Sequence, residues 1–117
     1  MALMVTSMQA AVFVALGEPS RLRIVDLLRA GPLPVGAIAE ALGIRQPQVS
    51  KHLRVLGDSG IVSSQAQARQ RIYQLEAAPF EDIGQWVASF ERLWDDRLDS
   101  LGDFLNSITH EKKDDGP

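Results

Sequence analysis

Gln46, Gln48, Ser50, Lys51, His52 and Arg54 crowd into one short stretch of this sequence, interleaved with Val49, Leu53 and Leu56. The three apolar residues recur at steps of four and three, the spacing of one helix face. With that face turned inward, Gln48, Lys51, Arg54 and Asp58 point outward, Ser50 and His52 flank the stripe, and Gln46 stands at the N-terminal end. An outward row of amides, hydroxyls and cations suits hydrogen bonding to base edges and neutralisation of phosphate. Glutamine can pair through both amide atoms with adenine in the major groove, and serine serves a base or a phosphate. Lysine and arginine bond guanine edges or offset phosphate charge. Farther along, Arg69 and Arg71 could reach phosphates or a minor groove.

Such residues need a rigid support, and the pattern around them predicts one. A first helix is expected over roughly Met8–Leu16, closed by Gly17. A second starts near Pro19, a residue favoured at the first helical position, with Glu18 or Ser20 assisting the terminus. Leu22, Val25 and Leu28 step by three, Ile24 and Leu27 widen the stripe, and Gly31-Pro32 stops it. The third helix covers about Val35–Leu42, with Val35, Ile38, Ala39 and Leu42 on one face and Gly43 after its end. Ile44, Arg45 and Gln46 link it to a fourth helix that opens at Pro47 and runs to about Asp58. Two short helices joined by a tight glycine-bearing turn form a helix-turn-helix. The end that enters the groove in such a unit is the N-terminal end of its second helix.

Gly60 ends that unit. Ile61-Val62 begins one strand, Arg71–Leu75 reads as another, and the polar stretch Ser63–Gln70 contains the turn. A β-hairpin placed directly after the second helix is a wing. A fifth helix is expected from about Pro79 to Ile108, carrying Ile83, Val87, Phe90, Trp94, Leu98, Leu101 and Leu105 at steps of three or four. It would be about 45 Å long. Trp86, Leu93 and Phe104 widen its apolar face, and a face that long needs a partner, most simply a second copy of the chain. The fold expected is therefore mainly α with a small β-hairpin: a winged helix-turn-helix of four helices, two strands and a last helix, paired as a homodimer through its first and fifth helices. Residues 1–111 are expected to form one domain, with the DNA-reading unit over about 35–75 and a disordered tail over 112–117. Two copies related by a two-fold axis would read a pseudo-palindrome with half-sites roughly 34 Å apart.

Composition narrows the function. At 117 residues, 45% hydrophobic and 23% charged, the chain is an ordinary single-domain length. It is too short for a DNA-binding domain plus a separate catalytic domain. No apolar run is long enough for a membrane span. No basic residue precedes the mildly apolar first sixteen residues, which argues against export and for a cytoplasmic protein. The net charge of −3 hides an asymmetry. Over residues 44–75, Arg45, Lys51, Arg54, Arg69 and Arg71 face Asp58 alone, a local charge of +4, whereas residues 76–111 carry −7. A basic segment beside an acidic one is the footprint of a nucleic-acid surface. There is no cysteine, so disulfides, thiolate metal sites and cysteine nucleophiles are excluded. Ser50 and His52 are too close on one helix to face one another, and no glycine-rich phosphate loop is present. No cofactor and no catalytic set is expected.

The ordered set of segments resembles the arsenical-resistance-repressor (ArsR) family of winged-helix regulators. The resemblance lies in Leu16-Gly17-Glu18-Pro19-Ser20-Arg21-Leu22-Arg23-Ile24, in Val49-Ser50-Lys51-His52-Leu53-Arg54-Val55-Leu56, in Gly60-Ile61-Val62 and in Arg69-Gln70-Arg71-Ile72-Tyr73-Gln74-Leu75, and spans about residues 10–105. It implies a homodimer that represses promoters near its own gene and releases DNA when a cue arrives. Ala68 stands where the family usually has glycine at the wing turn, so a different turn type is expected. The family's metal sensors use cysteines in the third helix or carboxylate and histidine ligands on the fifth. This chain has no cysteine and only His52 and His110, so it is similar to a metal-independent branch, a likeness carried by the stretch from Phe90 to Leu101. A small apolar effector near the fifth helix is the cue that fits.

Blander readings stand beside these. His52 could pack near Leu56, one of the two wing arginines could be used in cross-strand pairing, and the aromatic residues of the fifth helix could serve packing rather than a ligand cage. Asp95, Asp96, Asp99 and Asp103 could hold a hard cation such as Ca²⁺, or form a solvated acidic face neutralised by Arg92 and Arg97. The competing function is a winged-helix dimerisation or protein-interaction module that does not bind DNA, or an accessory subunit of an enzyme. A pure interaction module has no use for the basic segment or for the Gln-Ser-Lys-Arg face, and an accessory subunit would co-purify with a catalytic partner.

Overall fold

A computed structural model describes residues 10–114. Helix α1 covers residues 10–16, followed by α2 (Pro19–Leu28), β1 (Leu33–Pro34), α3 (Val35–Leu42), α4 (Gln46–Asp58), β2 (Val62–Gln67), β3 (Gln70–Leu75) and α5 (Ala77–Asp114). The expected start of the first helix at Met8 lies outside the described residues. The architecture is mainly helical with a small antiparallel sheet, as the sequence predicts.

Each helix end has a local cause. Gly17 N–H donates to the Phe13 carbonyl at 2.8 Å and closes α1. The Arg21 Nε donates to the Ala15 carbonyl at 2.6 Å, so a side chain from α2 satisfies an orphan carbonyl of α1. Of the two residues expected to assist α2, Glu18 does so: its carboxylate accepts from the Arg21 N–H at 2.9 Å. Gly43 ends α3 at φ 67°, a left-handed conformation that glycine adopts without a Cβ penalty. Arg23 donates to the Leu42 carbonyl at 3.0 Å, fastening α2 to the end of α3. Gly60 at φ 79° turns the chain out of α4, and Ile61 N–H donates back to the Leu56 carbonyl at 2.9 Å.

The sheet is larger than expected. Its order is β1-β3-β2, all antiparallel. The short strand β1 pairs Leu33 with Tyr73 and Pro34 with Ile72. Two residues give no alternation to read, and Pro34, which lacks an N–H, belongs on an edge. The hairpin strands are also longer than expected, six residues each. The polar residues Ser63–Gln67 pair as β2, since ladder hydrogen bonds come from the backbone and need no apolar side chain. Only Ala68 and Arg69 remain between the paired Gln67 and Gln70.

The core consists of Val12, Ala15, Ile24, Val25, Leu28, Ile38, Val49, Leu53, Leu56, Ile61 and Val62. Ile24, Ile38, Val49, Leu53, Leu56 and Ile61 are fully enclosed, at about 1.5–3 kcal/mol of hydrophobic stabilisation each. Tyr73, Leu75, Phe80 and Ile83 pack against it. Ile83, expected on the dimer seam, thus contacts the core of its own chain.

The chain falls into two compact units, Met1–Ile83 and Gly84–Pro117, where a single domain over 1–111 is expected from the sequence. The described residues from Gly84 on all lie on α5, and a helix makes its contacts between its own neighbouring turns. Within that second unit Trp86 and Phe90 meet edge to face at 4.9 Å, and the Arg97 guanidinium sits 5.4 Å from the Trp94 ring. Helix α5 continues to Asp114, into the segment 112–117 expected to be disordered; residues 115–117 lie outside the described residues.

Candidate nucleic-acid interface

Helix α4 is anchored by Val49, Leu53 and Leu56, none of which is more than 1% exposed. That stripe fixes the rotation of the helix, and with it the direction of every other side chain. Gln46, Gln48, Ser50, Lys51 and Arg54 are all exposed, as the spacing requires. Arg45 is the N-cap, contributes no side-chain capping bond and is exposed as well. It adds to the basic segment a cation at the leading end of α4, beyond the residues predicted to contact DNA.

His52 behaves differently. Its side chain is 22% exposed, and its Nδ1 lies 3.7 Å from Glu18 Oε2 at the start of α2. The imidazole therefore faces another helix of the same chain while its neighbours on α4 face outward.

The hairpin supplies the second group of candidates. Arg69 stands in the turn and is exposed. Ala68, before it, has φ 56°. A positive φ at the first of two turn residues is the sign of a type II′ turn, a position that glycine usually fills. The glycine-type backbone is thus kept at the wing tip, where the sequence predicts a different turn type, and the strain falls on alanine. Arg71 is exposed, and its Nη1 donates to Ser64 Oγ at 3.0 Å across the strands.

Register explains that contact. Val62, Ser64 and Ala66 share one face of β2, opposite Leu75, Tyr73 and Arg71 of β3. At the base of the hairpin this face is Val62 and Leu75, packed in the core. Toward the tip it becomes Ser64, Tyr73 and Arg71. Between it and α4 lies a cleft of about 360 Å³ lined by Ser50, Arg54, Gly57, Asp58, Ser63, Ser64 and Tyr73, floored by Leu53 and Val62. On the other side of the hairpin base Ser63 donates to Glu76 and accepts from Gln74 at 3.4 Å.

The acidic residues of α5 do not gather into a cage: among the described residues no group of three or more histidine, aspartate or glutamate side chains is placed to hold a metal ion. No helix of the described residues is long and apolar enough to cross a membrane. On α5, Val87, Phe90, Trp94, Leu98, Leu101 and Leu105 are all exposed, together with Trp86, Leu93 and Phe104.

Comparison with known proteins agrees with this geometry. Residues 18–64 match the family model described as bacterial regulatory protein, arsR family. The chain is 32% identical over 87 residues to the transcriptional repressor SdpR of Bacillus subtilis, covering 74% of this chain and 97% of that protein. It is 31% identical over 93 residues to the HTH-type transcriptional regulator Rv2034 of Mycobacterium tuberculosis, covering 80% and 84% of the two chains. Among solved structures it resembles an ArsR-family transcriptional regulator, RHA00566, at a TM-score of 0.69 and 30% identity, over 77% of this chain and 93% of that one. It also resembles the homodimeric winged helix-turn-helix DNA-binding domain of Mb0332 from Mycobacterium bovis, at a TM-score of 0.64 and 29% identity, over 79% and 87%. With α3 and α4 as the helix-turn-helix and β2–β3 as the wing, this chain belongs to the arsR family of bacterial regulatory proteins.

Proposed function

We infer that the chain is a transcriptional repressor that binds double-stranded DNA as a homodimer, presenting α4 to the major groove and the β2–β3 wing to the backbone. One observation carries this reading: Gln46, Gln48, Ser50, Lys51 and Arg54 form an exposed polar and basic face directly over the buried Val49–Leu53–Leu56 stripe. A stripe that holds the helix rigidly leaves its other face free to be read out against base edges. Arg69 and Arg71 serve the wing. His52, turned toward Glu18, supports α4 rather than a base. The exposed apolar residues of α5 pair with those of a second copy; the similar domain from Mycobacterium bovis is homodimeric.

The protein works without catalysis and without a metal, and its place is the cytoplasm. A small apolar effector has a candidate site in a cavity of about 400 Å³ whose lining is mostly apolar, from Ala11, Val12, Ala78, Pro79 and Ile83, and also includes Gly60, Asp58, Ser59 and Asp82. A ligand there would touch α1, the end of α4 and the start of α5 together, the elements whose relative placement a release mechanism must change.

The test is fluorescence anisotropy on a duplex from upstream of the chain's own gene, with a scrambled duplex as control and salt varied. Tight binding to the upstream duplex alone, weakening steeply as salt rises, is the expected result. Absence of binding to both duplexes at low salt would overturn it.

A further inference from the structure

We propose that the cleft between α4 and the wing seats one phosphate of the DNA backbone, held by Arg54, Arg71 and the Tyr73 hydroxyl, with Ser64 as the residue that positions Arg71. The proposal rests on the DNA-binding reading above and adds to it two residues, Ser64 and Tyr73. It also assigns Arg54 to phosphate rather than to a base.

Three observations place the groups together. First, Arg54 lines one wall of the cleft from α4, while Ser64 and Tyr73 line the other from the hairpin. Second, Ser64 and Tyr73 are direct cross-strand partners, so their side chains stand side by side on the face turned to α4. Arg71 follows on the same face, one alternation nearer the tip. Third, Ser64 Oγ already accepts from Arg71 Nη1 at 3.0 Å. That bond restrains a long, otherwise free side chain before any ligand arrives.

The cleft has unspent donors. Among the described residues no hydrogen bond engages the Tyr73 hydroxyl, and no buried polar side-chain atom is left unpaired, so that hydroxyl meets solvent. The Arg54 guanidinium and the Tyr73 hydroxyl line this space, and Arg71, bonded to Ser64 of its lining, stands beside it; these donors suit a tetrahedral anion with several acceptor oxygens. Asp58 lines the same cleft but would repel the anion. It lies about 12 Å along the axis from Ser50 but only one turn, about 6 Å, from Arg54, and so directs the phosphate to the Ser50 side of Arg54. That side adjoins Lys51 and Gln48 on the groove-facing surface. A backbone phosphate seated there would fix the register of α4 on the duplex without reading sequence.

The experiment compares wild type with Tyr73→Phe, Ser64→Ala, Arg54→Ala, Arg71→Ala and the Ser64→Ala/Arg71→Ala double variant. Affinity is measured on the upstream and scrambled duplexes across a salt series, with urea midpoints recorded for each protein. A phosphate contact affects both duplexes by the same factor, because every sequence has the same backbone. Tyr73→Phe is expected to weaken binding to both about five- to tenfold. Arg54→Ala and Arg71→Ala each remove one phosphate contact from both copies in the dimer and are each expected to lower the slope of log affinity against log salt by about 1.8. Ser64→Ala should weaken binding in the wild-type background and have no effect once Arg71 is alanine. Unchanged binding in Tyr73→Phe, a loss confined to the upstream duplex, or a Ser64→Ala effect that persists without Arg71 would each overturn the seat. Should Tyr73→Phe lower the urea midpoint, the Ser64/Arg71 cycle decides alone. Wild type that binds neither duplex would instead overturn the DNA-binding reading, and the seat with it.

Discussion

Nδ1 of His52 lies 3.7 Å from Oε2 of Glu18, the carboxylate that also accepts the Arg21 N–H at 2.9 Å to start α2. One side chain thus ends the link between α1 and α2 and faces the recognition helix. Arg21 in turn caps α1 through the Ala15 carbonyl. Glu18 therefore stands where α1, α2 and α4 come together.

Glu18→Ala removes an N-cap and the partner of His52 together. It is expected to destabilise the fold by about 1 kcal/mol, the usual cost of a lost cap. His52→Ala is expected to act mainly through support of α4. Its effect on DNA affinity should be smaller than that of Lys51→Ala and equal on upstream and scrambled duplexes. Urea unfolding and anisotropy on the same two variants check this. A loss of affinity for the upstream duplex alone would return His52 to the base-reading set.

Lys51 is the exposed cation in the middle of the α4 face. Lys51→Ala is expected to weaken operator binding by about 1–3 kcal/mol if it bonds a base edge. A phosphate contact, lost from both copies of the dimer, would instead weaken all duplexes alike and lower the salt slope by about 2. Sedimentation velocity on the same variant should show an unchanged oligomer, since Lys51 lies on α4 and not on the apolar face of α5.

Ala68 holds φ 56° at the wing turn. An L-residue with a Cβ is disfavoured there by roughly 1–2 kcal/mol, whereas glycine is not. Glycine also gains freedom in the unfolded chain, which offsets part of the relief. Ala68→Gly is therefore expected to raise stability slightly, by less than about 1 kcal/mol, and Ala68→Val to lower it. Denaturant midpoints of the pair test the sign, and a stabilising valine would contradict the turn geometry.

Much of this arrangement is legible in the sequence because it is local. Val49, Leu53 and Leu56 announce the buried side of α4 by spacing alone, and Gly43, Gly60 and Pro19 mark turns whose backbone demands are intrinsic to those residues. What escapes is set by pairing across distance. Leu33 and Pro34 carry no periodic signal, and only the neighbouring β3 makes them a strand. The polar residues of β2 look like loop because strand formation there rests on backbone bonds to β3. The His52 contact escapes for the same reason, whereas cross-strand pairing of one wing arginine is expected and only its identity and partner are not. The partner of His52 lies 34 residues upstream, and that of Arg71 is reached only through the hairpin register.

The exposed face of α5 yields the last expectation. Trp94 is 56% exposed and Leu98 60%, and Leu101, Phe104 and Leu105 continue the row. A run of large apolar side chains in water is unfavourable by about 25 cal/mol for each Å² left uncovered, and a second copy offers an identical, self-complementary row. A charge placed in the middle of such a seam loses its hydration on association without gaining a partner, which opposes dimerisation. Leu98→Glu should therefore give a monomer at concentrations where wild type is a dimer, read by sedimentation velocity. Because Leu98 lies outside the core around α4, the monomer should keep its helical circular dichroism. It should also lose most of its operator affinity, since each half-site would then be bound alone. A Leu98→Glu protein that remained dimeric with unchanged affinity would place the interface elsewhere on the molecule.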